Sequence, residues 1–128
     1  MPRTSKHDAP VAIDTPEIEI RSVDLDGYTV TFNTCKTDDD PAALFRGLPN
    51  DACQCPHWGT VLTGKVVFRY ADHDETYTAG DAYYVTPGHV PMSFAGAETV
   101  EFSPSVELAA TAAAVRRNMQ QLASLDVH

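Results

Sequence analysis

The stretch Gly80-Asp81-Ala82-Tyr83-Tyr84-Val85-Thr86-Pro87-Gly88-His89-Val90-Pro91 decides how this chain folds. It opens on a turn pair. Glycine takes positive φ without steric penalty, and aspartate hydrogen-bonds the backbone beside it. Residues 82–86 are aromatic, apolar or β-branched, the types that suit a pleated strand. Pro87-Gly88 stops that strand, and Pro91 stiffens the connector that carries His89. A short strand closed at both ends by turn chemistry belongs to a sheet protein.

The flanking sequence repeats the pattern. In Lys65-Val66-Val67-Phe68-Arg69-Tyr70, Val66, Phe68 and Tyr70 fall opposite Lys65 and Arg69. Val61-Leu62 leads into Gly64, Asp72-His73-Asp74 is a turn, and 75–79 is a short strand. Residues 92–95 and 99–102 read as two more strands around Gly96. His73, between two aspartates, is read as a solvated loop tip. Upstream, 17–23 and 28–35 both alternate around Asp26-Gly27, which predicts a hairpin, with Cys35 a half-buried thiol at its end. Asp38-Asp39-Asp40-Pro41 starts a helical turn over 42–46 that Gly47 and Pro49 stop. The aspartates lack the alternating ligands and later glutamate of an EF-hand calcium loop.

Residues 1–16 hold three prolines and no periodicity, so they read as a flexible arm with His7 solvated. At the other end, Ser103-Pro104 marks a change of period. Ser103 suits an N-cap and Pro104 a first helical position. Leu108, Ala112, Val115, Met119 and Leu122 then form one apolar face of an amphipathic helix over 104–125. Such a face covers a sheet or its edge, or makes a dimer contact, and a homodimer is expected.

Two of the three cysteines and one of the five histidines lie within Cys53-Gln54-Cys55-Pro56-His57. Side chains two apart share one face of an extended backbone. Thiolate sulfur with imidazole nitrogen is the donor set of zinc or a late transition metal. A single residue between the cysteines suits chelation better than a disulfide. A straight strand would spread Cys53 and His57 over about 13 Å. Bonds of about 2.0–2.3 Å to one ion cannot span that. A bend at Pro56 or Gly59 is therefore required, or one cysteine stays outside the site. The metal-free alternative is a pair of buried thiols with hydrogen-bonded core histidines.

At 128 residues the chain suits one domain, placed at 17–128, and a hydrophobic share of 43% supports a packed core. A net charge of −9 repels nucleic acid and anionic lipid, so neither is expected as a partner. No apolar run has the length of a membrane span, and the first residues lack a signal peptide's apolar core, so a cytoplasmic protein is expected. No nucleophile elbow, phosphate-binding glycine loop or paired acid/base carboxylates are evident.

Residues 80–91, together with His57-Trp58-Gly59-Thr60-Val61-Leu62-Thr63-Gly64, resemble the two motifs of a small single-domain bacterial cupin. The resemblance covers about residues 53–104. It implies a mainly-β fold, the cupin double-stranded β-helix or jelly-roll barrel, with a short N-terminal helix turn and a C-terminal amphipathic helix. It also implies a metal site, with departures from the family pattern. The family's ligand glutamate, seven residues before a glycine, is here His57. Its two upstream histidines align with Asp51 and Cys53. Its second-motif histidine falls at Pro91, which cannot be a ligand, while His89 lies two residues earlier on the same side. The expected ligands of a divalent transition metal, zinc first, are His57, His89, Cys55 and Cys53. The family's iron or manganese oxygenase chemistry relies on a different set. Trp58, Phe68, Tyr70, Tyr83 and Met92 would line a pocket around the metal, or else pack as core.

Three functions follow from this: a small-molecule binding or sensing domain; a metal-dependent enzyme of oxygenase, isomerase or lyase type; or a structural homodimer stapled by its metal. Four protein ligands would close the ion off, and three would leave a position for a small molecule.

Overall fold

The computed structural model describes residues 2–126. Among these residues nine strands form two antiparallel sheets. The larger takes the order β1 (Val11–Asp14), β2 (Ile18–Leu25), β3 (Tyr28–Cys35), β9 (Glu98–Pro104), β4 (His57–Thr63), β7 (Ala82–Val85). The smaller takes the order β6 (Asp74–Thr78), β5 (Lys65–Arg69), β8 (Val90–Met92). The helix α1 spans Ser105–Asp126, and single turns of 3-10 helix lie at Ala42–Phe45 and Pro49–Asp51. This is a jelly-roll sandwich with one C-terminal helix. No helix among the described residues is long and apolar enough to cross a membrane.

Local chemistry sets the register. β2 and β3 pair from Leu25↔Tyr28 to Ile18↔Cys35. Asp26 and Gly27 turn the hairpin with φ of 53° and 86°. Positive φ at both central residues gives a turn whose twist matches that of the strands it joins. β3 then pairs with β9, placing Thr29, Thr31 and Asn33 opposite Ser103, Glu101 and Thr99. β4 lies between β9 and β7, with His57, Gly59 and Val61 on the inner face. Its outer face carries Trp58, opposite both Tyr84 and Phe102.

Three elements depart from expectation. The stretch read as an arm contains β1, which pairs with β2, and Ala9 is buried. An edge strand needs backbone bonds to one neighbour only, so a short segment without alternation can supply it. The strand expected over 92–95 lies instead at Val90–Met92, paired to β5, with only an isolated Asp39↔Ser93 bridge beyond it. Pro91 is tolerated because β8 is an edge strand. Finally, Ser103 and Pro104 do not start the helix. β9 runs on through Thr29↔Ser103 and Tyr28↔Pro104, and α1 begins at Ser105, whose N–H donates to the Gly27 carbonyl at 3.0 Å.

The helix packs on the first 3-10 turn, β9 and β3. Its most buried positions are Thr111, Ala114 and Asn118, while Leu108, Ala112, Val115 and Met119 are half-buried and Leu122 is exposed. Polar residues sit on the buried side because they have partners there. Asn118 Nδ2 donates to the carbonyls of Leu44 and Arg46 at 2.8 and 2.9 Å, clamping the helix over the 3-10 turn.

Two apolar clusters flank the interior. Val61, Val66, Phe68, Tyr83 and Val85 form one. Phe45, Cys53 and Cys55 form the other, with Leu44, Leu48, Val90, Leu108 and Val115 packed around them.

Candidate metal centre

Three chain segments converge between these clusters. His57 opens β4, Cys53 lies across a bend from it, and His89 sits in the connector between β7 and β8. Backbone bonds fix the second and third to each other. Cys53 N–H donates to the His89 carbonyl at 2.8 Å, and the Cys53 carbonyl accepts from Gly88 N–H at 2.8 Å. Gly88 has φ of 98°, a conformation that a side chain would strain.

The side chains meet at one point. Cys53 Sγ lies 3.7 Å from His57 Nε2. One ligand atom from each of Cys53, His57 and His89 falls within 4.8 Å of the other two, and all three residues are buried. The imidazole centroids are 4.9 Å apart. A tetrahedral ion with bonds of about 2.0–2.3 Å sets its donors about 3.3–3.8 Å apart. The Cys53–His57 separation already meets that, and His89 needs only a small closure.

Each imidazole is oriented from behind. His57 Nδ1 lies 2.6 Å from the Ser103 hydroxyl. His89 Nδ1 lies 2.6 Å from the Thr86 carbonyl. A carbonyl only accepts, so His89 carries its proton on Nδ1 and a lone pair on Nε2. That Nε2 is buried and has no hydrogen-bond partner among the described residues. Phe68 and Tyr70 border the ring, at 5.4 and 6.3 Å between centroids. Burial pulls the His89 pKa down to about 4 against the opposing Thr86 bond, with a smaller push from His57. The ring is therefore the neutral imidazole that ligation requires. Burial pushes the Cys53 thiol up, against weaker lowering by hydrogen bonds with the Cys55 backbone and Thr111. A cation beside the sulfur would reverse this and hold the thiolate.

Cys55 stands apart from the group of three. Its thiol is fully buried, 3.3 Å from the Pro56 carbonyl and 4.0 Å from that of Pro104. Burial, then the neighbouring Cys53, pushes its pKa up to about 12. The backbone is not in strand pairing between Cys53 and His57, so side chains two apart do not share a face there.

The expected pocket residues divide. Phe68 and Tyr83 are core, and Tyr83 donates its hydroxyl proton to Glu101 Oε2 at 2.8 Å. Tyr70 is half-buried, stacks on His73 at 4.9 Å and accepts from Thr86 N–H at 3.1 Å. Met92 is half-buried on β8. Trp58 lies on the outer face, 43% exposed and 4.8 Å from Tyr84, so it cannot line the interior. Alternation along β4 requires this, because Trp58 follows the inward-facing His57.

Ser103, Thr86 and Thr111 are the supporting residues that sequence reasoning missed. Ser103 carried the local signature of a helix cap, and a backbone carbonyl such as that of Thr86 has no residue signature at all. Thr111 Oγ1 lies 3.6 Å from Cys53 Sγ, on a helix face where the apolar periodicity directs attention to its neighbours.

No protein-family model and no curated protein matches the sequence. Solved structures do match. A structural-genomics protein from Rhizobium leguminosarum aligns with a TM-score of 0.60 at 18% identity, over 80% of this chain and 95% of that one. An RmlC-like cupin from Shewanella frigidimarina aligns at 0.54 and 13% identity, over 79% and 88% of the two chains. The Fe(II) form of HppE aligns at 0.58 and 12% identity, over 80% of this chain and 60% of its own. At such identities the likeness is one of fold. The sheet order, the strand registers and these neighbours agree that the chain folds as a cupin.

Proposed function

We propose that this cupin binds one divalent transition metal, zinc foremost, through Cys53 Sγ, His57 Nε2 and His89 Nε2, and offers it to a small molecule in a binding or sensing role. The observation that carries the proposal is His89 Nε2. A buried lone pair without a partner is costly unless something binds it, and this one belongs to the same group as a thiol and a second imidazole. One sulfur and two nitrogens suit zinc in four-coordinate geometry. Three protein donors leave the fourth position to water or a ligand, which separates this reading from a closed structural staple. A metal-dependent enzyme is the second reading, favoured by the Fe(II) protein that shares the fold.

Metal analysis of the purified protein tests this. The expected result is about one zinc per chain, with His89→Ala losing most of it. Protein that takes up no metal, and whose melting temperature is unmoved by a chelator, overturns the proposal.

A further inference from the structure

Cys53, His57 and His89 are sealed from solvent, yet the sheet face that continues from them is polar. Glu101 is the charged member of that face. It stands opposite Gly59 on β4, and Gly59 lies two residues from His57 on the same inner face. That is one step along the strand, about 7 Å. Ser103, which holds His57 Nδ1, is two residues along β9 from Glu101.

The carboxylate is built into place. Oε2 accepts from the Tyr83 hydroxyl at 2.8 Å, and Oε1 accepts from Asn33 Nδ2 at 3.3 Å. Asn33 is itself steadied on Thr99 Oγ1 at 3.1 Å. Tyr83 reaches Glu101 by crossing over Gly59, where a Cβ would come within 2.8 Å of the phenol ring and hydroxyl. Both partners of Glu101 are neutral donors, and no ion pair among the described residues includes it. A carboxylate offers about four lone-pair positions, and two here are used. Glu101 and Asn33 are half-buried, so the carboxylate stands in a partly desolvated place on the inner face beside His57.

We infer that Glu101 sets the class of ligand the metal centre accepts. A carboxylate with no protein cation paired to it, in a partly desolvated interior, repels a second anion more strongly than it would in water. Its free lone pairs accept from an O–H or N–H. The open position on the metal therefore favours a small neutral or cationic molecule bearing a hydrogen-bond donor over an anion. This rests on the metal reading above and assigns the group that selects the ligand.

The test uses the cobalt(II)-loaded protein, with azide and imidazole as probes read by visible absorption. In the wild type, imidazole shifts the cobalt bands at concentrations where azide does not. Glu101→Gln keeps one cobalt per chain and strengthens azide binding at least tenfold relative to imidazole. Tyr83→Phe, which keeps the charge, retains the wild-type preference and separates the carboxylate from a general loosening of the interior. Wild-type protein that binds azide as tightly as imidazole overturns the inference. So does an unchanged ratio in Glu101→Gln, or loss of the preference in Tyr83→Phe. Protein that takes no cobalt removes the metal reading, and this inference with it. Protein that binds cobalt without discrimination removes this inference alone.

Discussion

Cys53 and His89 are joined by their backbones and brought close by their side chains. An isolated antiparallel bridge pairs their backbones, with Cys53 N–H donating to the His89 carbonyl at 2.8 Å. Their side chains then belong to one buried group of potential ligand atoms. The bridge fixes the separation of a sulfur and an imidazole that lie far apart in sequence. Preorganisation of this kind lowers the ordering entropy that ion binding would otherwise have to supply.

Gly88 holds that bridge. Its N–H donates to the Cys53 carbonyl, and its φ of 98° is open to glycine but strained for other residues. Space is not the obstacle, since nothing lies within 4 Å of where its Cβ would be. Gly88→Ala is therefore expected to destabilise the protein by about 1–2 kcal/mol through backbone strain. It should also weaken metal retention, because the connector that carries His89 must shift. Urea denaturation and metal content, measured on the same preparation, check both parts. A variant with wild-type stability would show that the bridge tolerates another φ.

Ser103 orients His57 at 2.6 Å from Nδ1. In Ser103→Ala the buried ring nitrogen loses its partner, and the ring is no longer fixed with Nε2 toward Cys53. Removing a residue that orients a ligand histidine ordinarily weakens metal binding about 10–100-fold. The unsatisfied group also destabilises the metal-free fold by about 1–3 kcal/mol. Chelator competition measures the first effect and thermal unfolding of the metal-free protein the second. Unaltered metal affinity would remove Ser103 from the site.

Much of this fold is legible because its signals are local. The alternation of Lys65 to Tyr70, the Asp26-Gly27 turn and the Gly80-Asp81 turn each depend on a few neighbouring residues, and each lies where it is expected. What is hidden depends on distant partners. β1 and β8 are edge strands held by backbone bonds to one neighbour, so their own residues carry little pattern. Ser103-Pro104 has the chemistry of a helix start, but pairing with β3 keeps it in a strand. Residues 57 and 89 stand out as histidines beside turns. Which cysteine joins them is not legible, because that depends on the bend between Cys53 and His57. Glu101 is one polar residue in an alternating strand, and only its pairing with Tyr83 and Asn33 distinguishes it.

His73 gives a pH signature remote from the metal. Its ring nitrogens lie 2.7 Å from Asp72 Oδ1 and 2.8 Å from Glu75 Oε2. The hydrogen bond to Asp72 and then that to Glu75 raise its pKa above 6.5, while both carboxyls are held below their usual range. For a raised histidine the sign is fixed. The pairing stabilises the folded loop fully below the unfolded value of about 6.5, and is lost as pH rises through the higher folded value. These side chains are solvent-exposed, so the effect on global stability is small. NMR titration of the imidazole is expected to show a midpoint above 6.5, falling toward it in Asp72→Asn. A wild-type midpoint at or below 6.5 contradicts this.

The two cysteines provide the sharpest test of the site's geometry, because composition and spacing treat them alike. Cys53 Sγ shares the group with His57 and His89, whereas the Cys55 thiol faces the Pro56 and Pro104 carbonyls. Cys53→Ala is expected to remove most of the bound metal, leaving two imidazoles without the thiolate that neutralises the ion's charge. Cys55→Ala should keep about one ion per chain and lose about 1–2 kcal/mol of stability from the cavity in the cluster around Phe45. Metal content separates the two at once, and the cobalt-loaded proteins add a second reading. Sulfur-to-metal charge-transfer absorption is expected to survive in Cys55→Ala and vanish in Cys53→Ala. If both substitutions release the metal, the segment between Cys53 and His57 rearranges to bring in a fourth protein ligand. The ion then has no open position, and the chain holds a structural staple. If Cys53→Ala alone releases it, the fourth position stays free for the ligand that Glu101 selects.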